Sequence, residues 1–115
     1  MLQGIKVIEI GQVLAAPYAA MVLADLGADV IKIEKPDGGD DARRMGPGLK
    51  GGDALTYIDN NRNKWSVTID PKNPAGREQL HGLLETADVL IHNLRPGIAD
   101  ELELDGKRLC ERYPR

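Results

Sequence analysis

Residues 6–34 read KVIEIGQVLAAPYAAMVLADLGADVIKIE, and this stretch decides the fold. Lys6-Val7-Ile8-Glu9-Ile10 is a short run rich in β-branched side chains, the composition a strand favours, and Gly11 ends it. The apolar spacing then changes to three and four. Ala16, Ala19, Ala20, Leu23 and Leu26 fall on one helical face, with Pro17 suited to the first turn and Gly27 to the C-terminal stop. Asp29-Val30-Ile31-Lys32-Ile33-Glu34 returns to the strand pattern. Strand, helix and strand within about 30 residues is the length of a right-handed parallel crossover.

Outward from this unit, Lys35 to Asn63 is expected to be a long irregular loop, because glycine, proline and charge replace any periodicity. Trp65 to Ile69 alternates like a strand. Asn73-Pro74 opens a helix with a capping side chain and proline at the first position, and Leu80, Leu83, Leu84 and Ala87 give it an apolar stripe. Asp88 to Asn93 is the next strand, and Arg95-Pro96-Gly97 breaks it into a short helical tail through Leu104 and Leu109. The predicted fold is therefore α/β: a Rossmann-like, mostly parallel sheet with helices on both faces.

Composition narrows the function. With 115 residues, one domain is the default. A net charge of −3 argues against a nucleic-acid surface, which needs clustered basic residues. No apolar run approaches the roughly 20 residues of a membrane span, and the N-terminus lacks a secretory pattern, so the expected compartment is the cytoplasm. One cysteine, Cys110, supplies neither an internal disulfide nor a multi-cysteine metal site, and it is read as a small, partly buried hydrophobe. His81 and His92 have no neighbouring ligands and are read as structural or solvated, so no metal is expected.

In a parallel sheet, ligands gather at the carboxyl ends of the strands. Here those ends are Gly11 to Pro17, Glu34 to Asp40, Ile69 to Lys72 and Asn93 to Gly97. The first aims backbone N–H groups and a positive helix end at one point, a seat for phosphate, although a plain strand-to-helix turn has the same spacing. Glu34 stands where dinucleotide-binding domains put a ribose-binding acid, yet Gly11-Gln12-Val13-Leu14-Ala15-Ala16 lacks the second and third glycines of that fingerprint. NAD is thus a minor alternative. Lys35, Lys72 and Arg95 are candidate polyanion contacts, with Arg62 and Lys64 as further cations. For each, a solvated or ion-paired surface role stands beside the functional one.

These strand ends fall within blocks that resemble the class III CoA-transferases, the family of formyl-CoA transferase, carnitine CoA-transferase and α-methylacyl-CoA racemase. The blocks are Leu2 to Glu9, Ala15-Ala16-Pro17, Leu23 to Glu34, Gly39-Asp40, Asn61 to Val67 with Asp70, Ala87 to Ile91, and Asn93-Leu94-Arg95-Pro96-Gly97. The resemblance implies that CoA, as part of an acyl-CoA substrate and not a prosthetic group, lies across the sheet's carboxyl edge. Backbone near Val13 and Ala15 and the side chains of Lys35, Ile69, Lys72, Asn93 and Arg95 would line it. It further implies an aspartate nucleophile that attacks the thioester, a carboxylate acceptor and an interlocked homodimer. That aspartate is expected beyond Arg115, so no residue here is expected to be catalytic. Residues 1–115 are expected to form one CoA-binding segment, inactive by itself. A racemase segment and a non-catalytic CoA-binding module are the alternatives.

Overall fold

The computed structural model describes residues 1–49 and 51–114. Strands β1 (Lys6–Ile10), β2 (Asp29–Glu34), β3 (Lys64–Thr68) and β4 (Val89–His92) form one sheet in the order β3-β2-β1-β4. Every pairing is parallel, with Val7 opposite both Val30 and Val89, and Ile31 opposite Trp65. This is the α/β arrangement expected from the sequence, and its strand order is that of the first four strands of a doubly wound sheet.

Side-chain alternation assigns the two faces. Val7 and Val30 meet Ala20 and Ala24 of α1 (Ala15–Asp25) on one face. Ile8, Ile10 and Ile33 meet Leu80 and Leu84 of α3 (Pro74–Leu84) on the other, so α3 carries the chain across the sheet from β3 to β4. Ile8 and Leu80 are completely buried, each contributing about 1.5–3 kcal/mol of hydrophobic stabilisation.

Helix ends follow local chemistry. Gly27, at φ 101°, closes α1 in a left-handed turn in which its N–H donates to the Ala24 carbonyl and that of Ala28 to Leu23. Asn73 caps α3 by accepting from the Gly76 N–H at 2.7 Å, with Pro74 in the first turn. The predicted tail is two short helices, α4 (Ile98–Glu101) and α5 (Gly106–Arg112).

Two expectations are corrected. The segment after Lys35 is not wholly irregular: it holds a 3-10 turn at Asp41–Arg44 and a helix, α2 (Leu55–Asn61). Helix α2 buries no residue and so has no apolar stripe; Leu55 and Ile58 are exposed, and its ties are polar ones such as Tyr57 to Glu34. Cys110 is exposed, not partly buried.

Candidate functional site

The strand order brings the expected site residues to one edge. With neighbouring strands about 4.8 Å apart, the ends of β3, β2, β1 and β4 span roughly 14 Å. They carry, in that order, Ile69 with Lys72, then Lys35, then Val13 with Ala15, then Asn93 with Arg95. Lys72 and Arg95 are exposed, and among the described residues neither side chain has a hydrogen-bond or ion-pair partner. Lys35 is half-buried and donates to Asp41 at 2.7 Å, so it would have to exchange that partner to reach a ligand. Ile69 is taken up by the core beneath α3. The Asn93 amide is also engaged, accepting from the Gln12 N–H at 3.0 Å and donating to the Gln12 carbonyl at 2.9 Å.

The turn from β1 into α1 is the most constrained part of this edge. A Cβ on Gly11 would lie 2.5 Å from that of Ala16 and 3.0 Å from Asn93 Oδ1, so only glycine fits. Val13 sits at φ 68°, a left-handed conformation that costs a β-branched residue on the order of 1–3 kcal/mol. No side chain caps α1, and Pro17 has no N–H. The first-turn N–H groups of Ala15 and Ala16 therefore point out of the helix end, as the sequence reading required of an anion seat.

Beneath this turn lies a polar cluster that the sequence reading missed. Lys32 Nζ is 2.8 Å from Glu9 and 2.9 Å from Asp40, while Lys64 Nζ is 2.9 Å from Glu9. All four side chains are at most 2% exposed, and their two positive and two negative charges balance. Burial pushes the Lys64 amine below its ordinary range, against the opposing pull of Glu9. The signal available in the sequence was the period of two: Lys32 shares the α1 face with buried Val30, an address that no lone lysine tolerates.

Glu34 closes off the NAD alternative. It is buried, and its carboxylate accepts from Arg43, the Asp40 N–H, Tyr57 and Ser66 at 2.6–2.9 Å. Burial opposes its ionisation, but these donors outweigh burial and hold the carboxyl far below its usual range. No lone pair faces a ribose. Arg62 is occupied too, forking onto Asp25 at 2.6 and 3.2 Å, so Arg62 and Lys64 are structural cations.

Away from the edge, His81 is buried, and its Nδ1 lies 2.9 Å from the Tyr113 hydroxyl. It borders an open hollow of about 460 Å³ with Glu103, Arg108 and Arg112, far from the strand ends. Burial, aided by Arg112, keeps its imidazole below the ordinary range. The unfolded chain then binds the proton more readily. Stability from a neutral His81 should be complete above about pH 6.5 and decline as the pH falls through the lower folded value. Thermal unfolding at pH 7.5 and 5.5 should show a smaller loss for His81→Gln than for the parent; equal losses would refute this. Among the described residues, no cluster of His, Cys, Asp and Glu is arranged for a metal, and no helix is long and apolar enough to cross a membrane.

Comparison with known proteins bears on all four strand ends. The beta subunit of succinyl-CoA–L-malate CoA-transferase from Chloroflexus aurantiacus is 42% identical over 114 residues, covering 99% of this chain and 28% of that subunit. Human succinyl-CoA:glutarate CoA-transferase is 43% identical over 113 residues, 98% of this chain and 26% of the relative. The chain thus spans little more than a quarter of the curated relatives it matches. Among solved structures, a CAIB/BAIF family protein from Brucella suis superposes with a TM-score of 0.87 at 41% identity, covering 95% of this chain and 30% of that one. Mycobacterium tuberculosis Rv3272 gives 0.87 at 40% identity, covering 99% and 31%. Since the model of "CoA-transferase family III" matches residues 2–115, every element of the sheet and every candidate residue included, the chain belongs to that family.

Proposed function

We propose that this chain is the CoA-binding segment, residues 1–115, of an acyl-CoA transferase that moves CoA from a thioester donor to a carboxylate acceptor. The observation that carries this reading is the order β3-β2-β1-β4, which aligns Lys72, Lys35, the uncapped α1 terminus and Arg95 along one edge. Lys72 and Arg95 are cations with room to receive phosphate, and the α1 terminus adds N–H donors between them. The named activities of the relatives pair succinyl-CoA with malate or glutarate, and formyl-CoA with oxalate. A small dicarboxylate is accordingly the acceptor class we assign. The same reading carries with it a cytoplasmic enzyme working as an interlocked homodimer, with acyl-CoA bound as substrate and no prosthetic group.

Calorimetric titration with CoA tests the binding directly. Exposed cations on phosphate predict affinity that weakens between low and moderate salt. Lys72→Ala should lose about 1–2 kcal/mol of binding, roughly 5- to 30-fold, without changing the unfolding temperature. Unchanged affinity would remove Lys72 from the site. Undetectable binding at millimolar CoA in a folded sample would overturn the reading itself.

A further inference from the structure

We propose that Asp40 is a positioning residue for acyl-CoA, fixing the strained β1–α1 turn through the Val13 N–H from within the buried charge cluster. The inference rests on the CoA-binding reading above and adds to it a part for a residue that would not touch the ligand.

Three successive turn residues are each held by a side chain from elsewhere. Lys32 Nζ donates to the Gly11 carbonyl at 3.1 Å. Asn93 grips both backbone groups of Gln12. Asp40 Oδ1 accepts from the Val13 N–H at 3.0 Å and from the Ala42 N–H at 2.9 Å, while Oδ2 pairs with Lys32. Asp40 is itself immobilised, since it is 2% exposed and its own N–H donates to Glu34 at 2.7 Å.

The Val13 bond differs in kind from the other two. It meets the one residue of the turn whose left-handed backbone is unfavourable for its side chain, and, like the Lys32 bond to Gly11, it involves a charged group, the stronger class of hydrogen bond. Release of that N–H would let Val13 relax to negative φ. The direction of Leu14, which stands 56% exposed at the edge, and of the Ala15 and Ala16 N–H groups would change with it. A buried, charge-balanced cluster is a suitable anchor, because its members are held against one another on all sides.

Removing Asp40 alone would also unbalance the buried charges, so the test uses a charge-matched pair. Lys32→Met/Asp40→Asn and Lys32→Met/Asp40→Ala each remove one positive and one negative charge and leave the Glu9–Lys64 pair. Only the first retains an acceptor for the Val13 N–H. Both proteins are titrated with CoA under conditions where circular dichroism shows them folded, and Val13 amide exchange is followed by NMR. The asparagine variant should bind CoA within about threefold of the parent, and the alanine variant about tenfold more weakly, with Val13 exchange about tenfold faster. Equal CoA affinity in the two variants would overturn the positioning role even if their stabilities differ. If the parent binds no CoA, the functional reading fails instead; equal Val13 exchange in the two variants would then show that Asp40 does not fix the turn.

Discussion

Lys32→Met is expected to destabilise the protein by about 3–5 kcal/mol, the usual consequence of stripping one partner from a buried ion pair. Lys32 stands on the second strand at 1% side-chain exposure and faces Glu9 and Asp40, both completely buried at their side chains. Methionine matches its length and hydrophobic stem, so the loss reports the ammonium group together with its bonds to Glu9 and the Gly11 carbonyl. Of the two carboxylates left, only Glu9 would keep a cation, the Lys64 amine at 2.9 Å. Such a loss is a large part of the roughly 5–15 kcal/mol that holds a domain together. Denaturant unfolding should show a lower midpoint with an unchanged slope. Adding Asp40→Asn should recover part of the loss by restoring the charge balance. A single variant within about 1 kcal/mol of the parent would mean that Glu9 or Asp40 takes up a proton at little cost.

Gly76→Ala should cost up to about 3 kcal/mol, for steric and not electrostatic reasons. Gly76 lies buried in the first turn of α3, where an added Cβ would overlap the Asp70 carbonyl and approach its carbon to 2.7 Å. Backbone cannot swing aside as a side chain can. Helix α3 would have to retreat from the β3–α3 turn, which also carries Lys72, so CoA affinity should fall together with stability. Gly82 supplies the contrast, being in the same helix with nothing within 4 Å of an added Cβ. Gly82→Ala should raise stability by about 0.5–1 kcal/mol, the helix-propensity difference between the two residues. Thermal unfolding of the pair decides the matter: a Gly76→Ala protein as stable as Gly82→Ala would show that the contact at Asp70 is not tight.

The local elements were legible because each declares itself within a few residues. Ile8 and Ile10 alternate with Val7 and Glu9, Leu80 and Leu84 recur at helical spacing, and Asn73-Pro74 and Gly27 mark helix ends whatever surrounds them. The carboxyl edge could be located because parallel crossovers put every strand's end on one side. Helix α2 was not legible, since its partner groups lie outside it: Tyr57 reaches Glu34, 23 positions away.

The parallel sheet, the edge that carries the candidate residues and, through its blocks, the family can thus be read from the order of residues. Which charges serve the fold emerges only when the chain is folded. From the sequence, Arg62 and Lys64 are candidate cations and Glu34 a candidate ribose-binding acid, yet Lys32 finds Glu9 across 23 positions, Lys64 finds it across 55, and Asp40 finds the Val13 amide across 27. A charge can leave water only when its counter-charge is already in place. That condition depends on distances between segments, and the order of residues along the chain does not contain them.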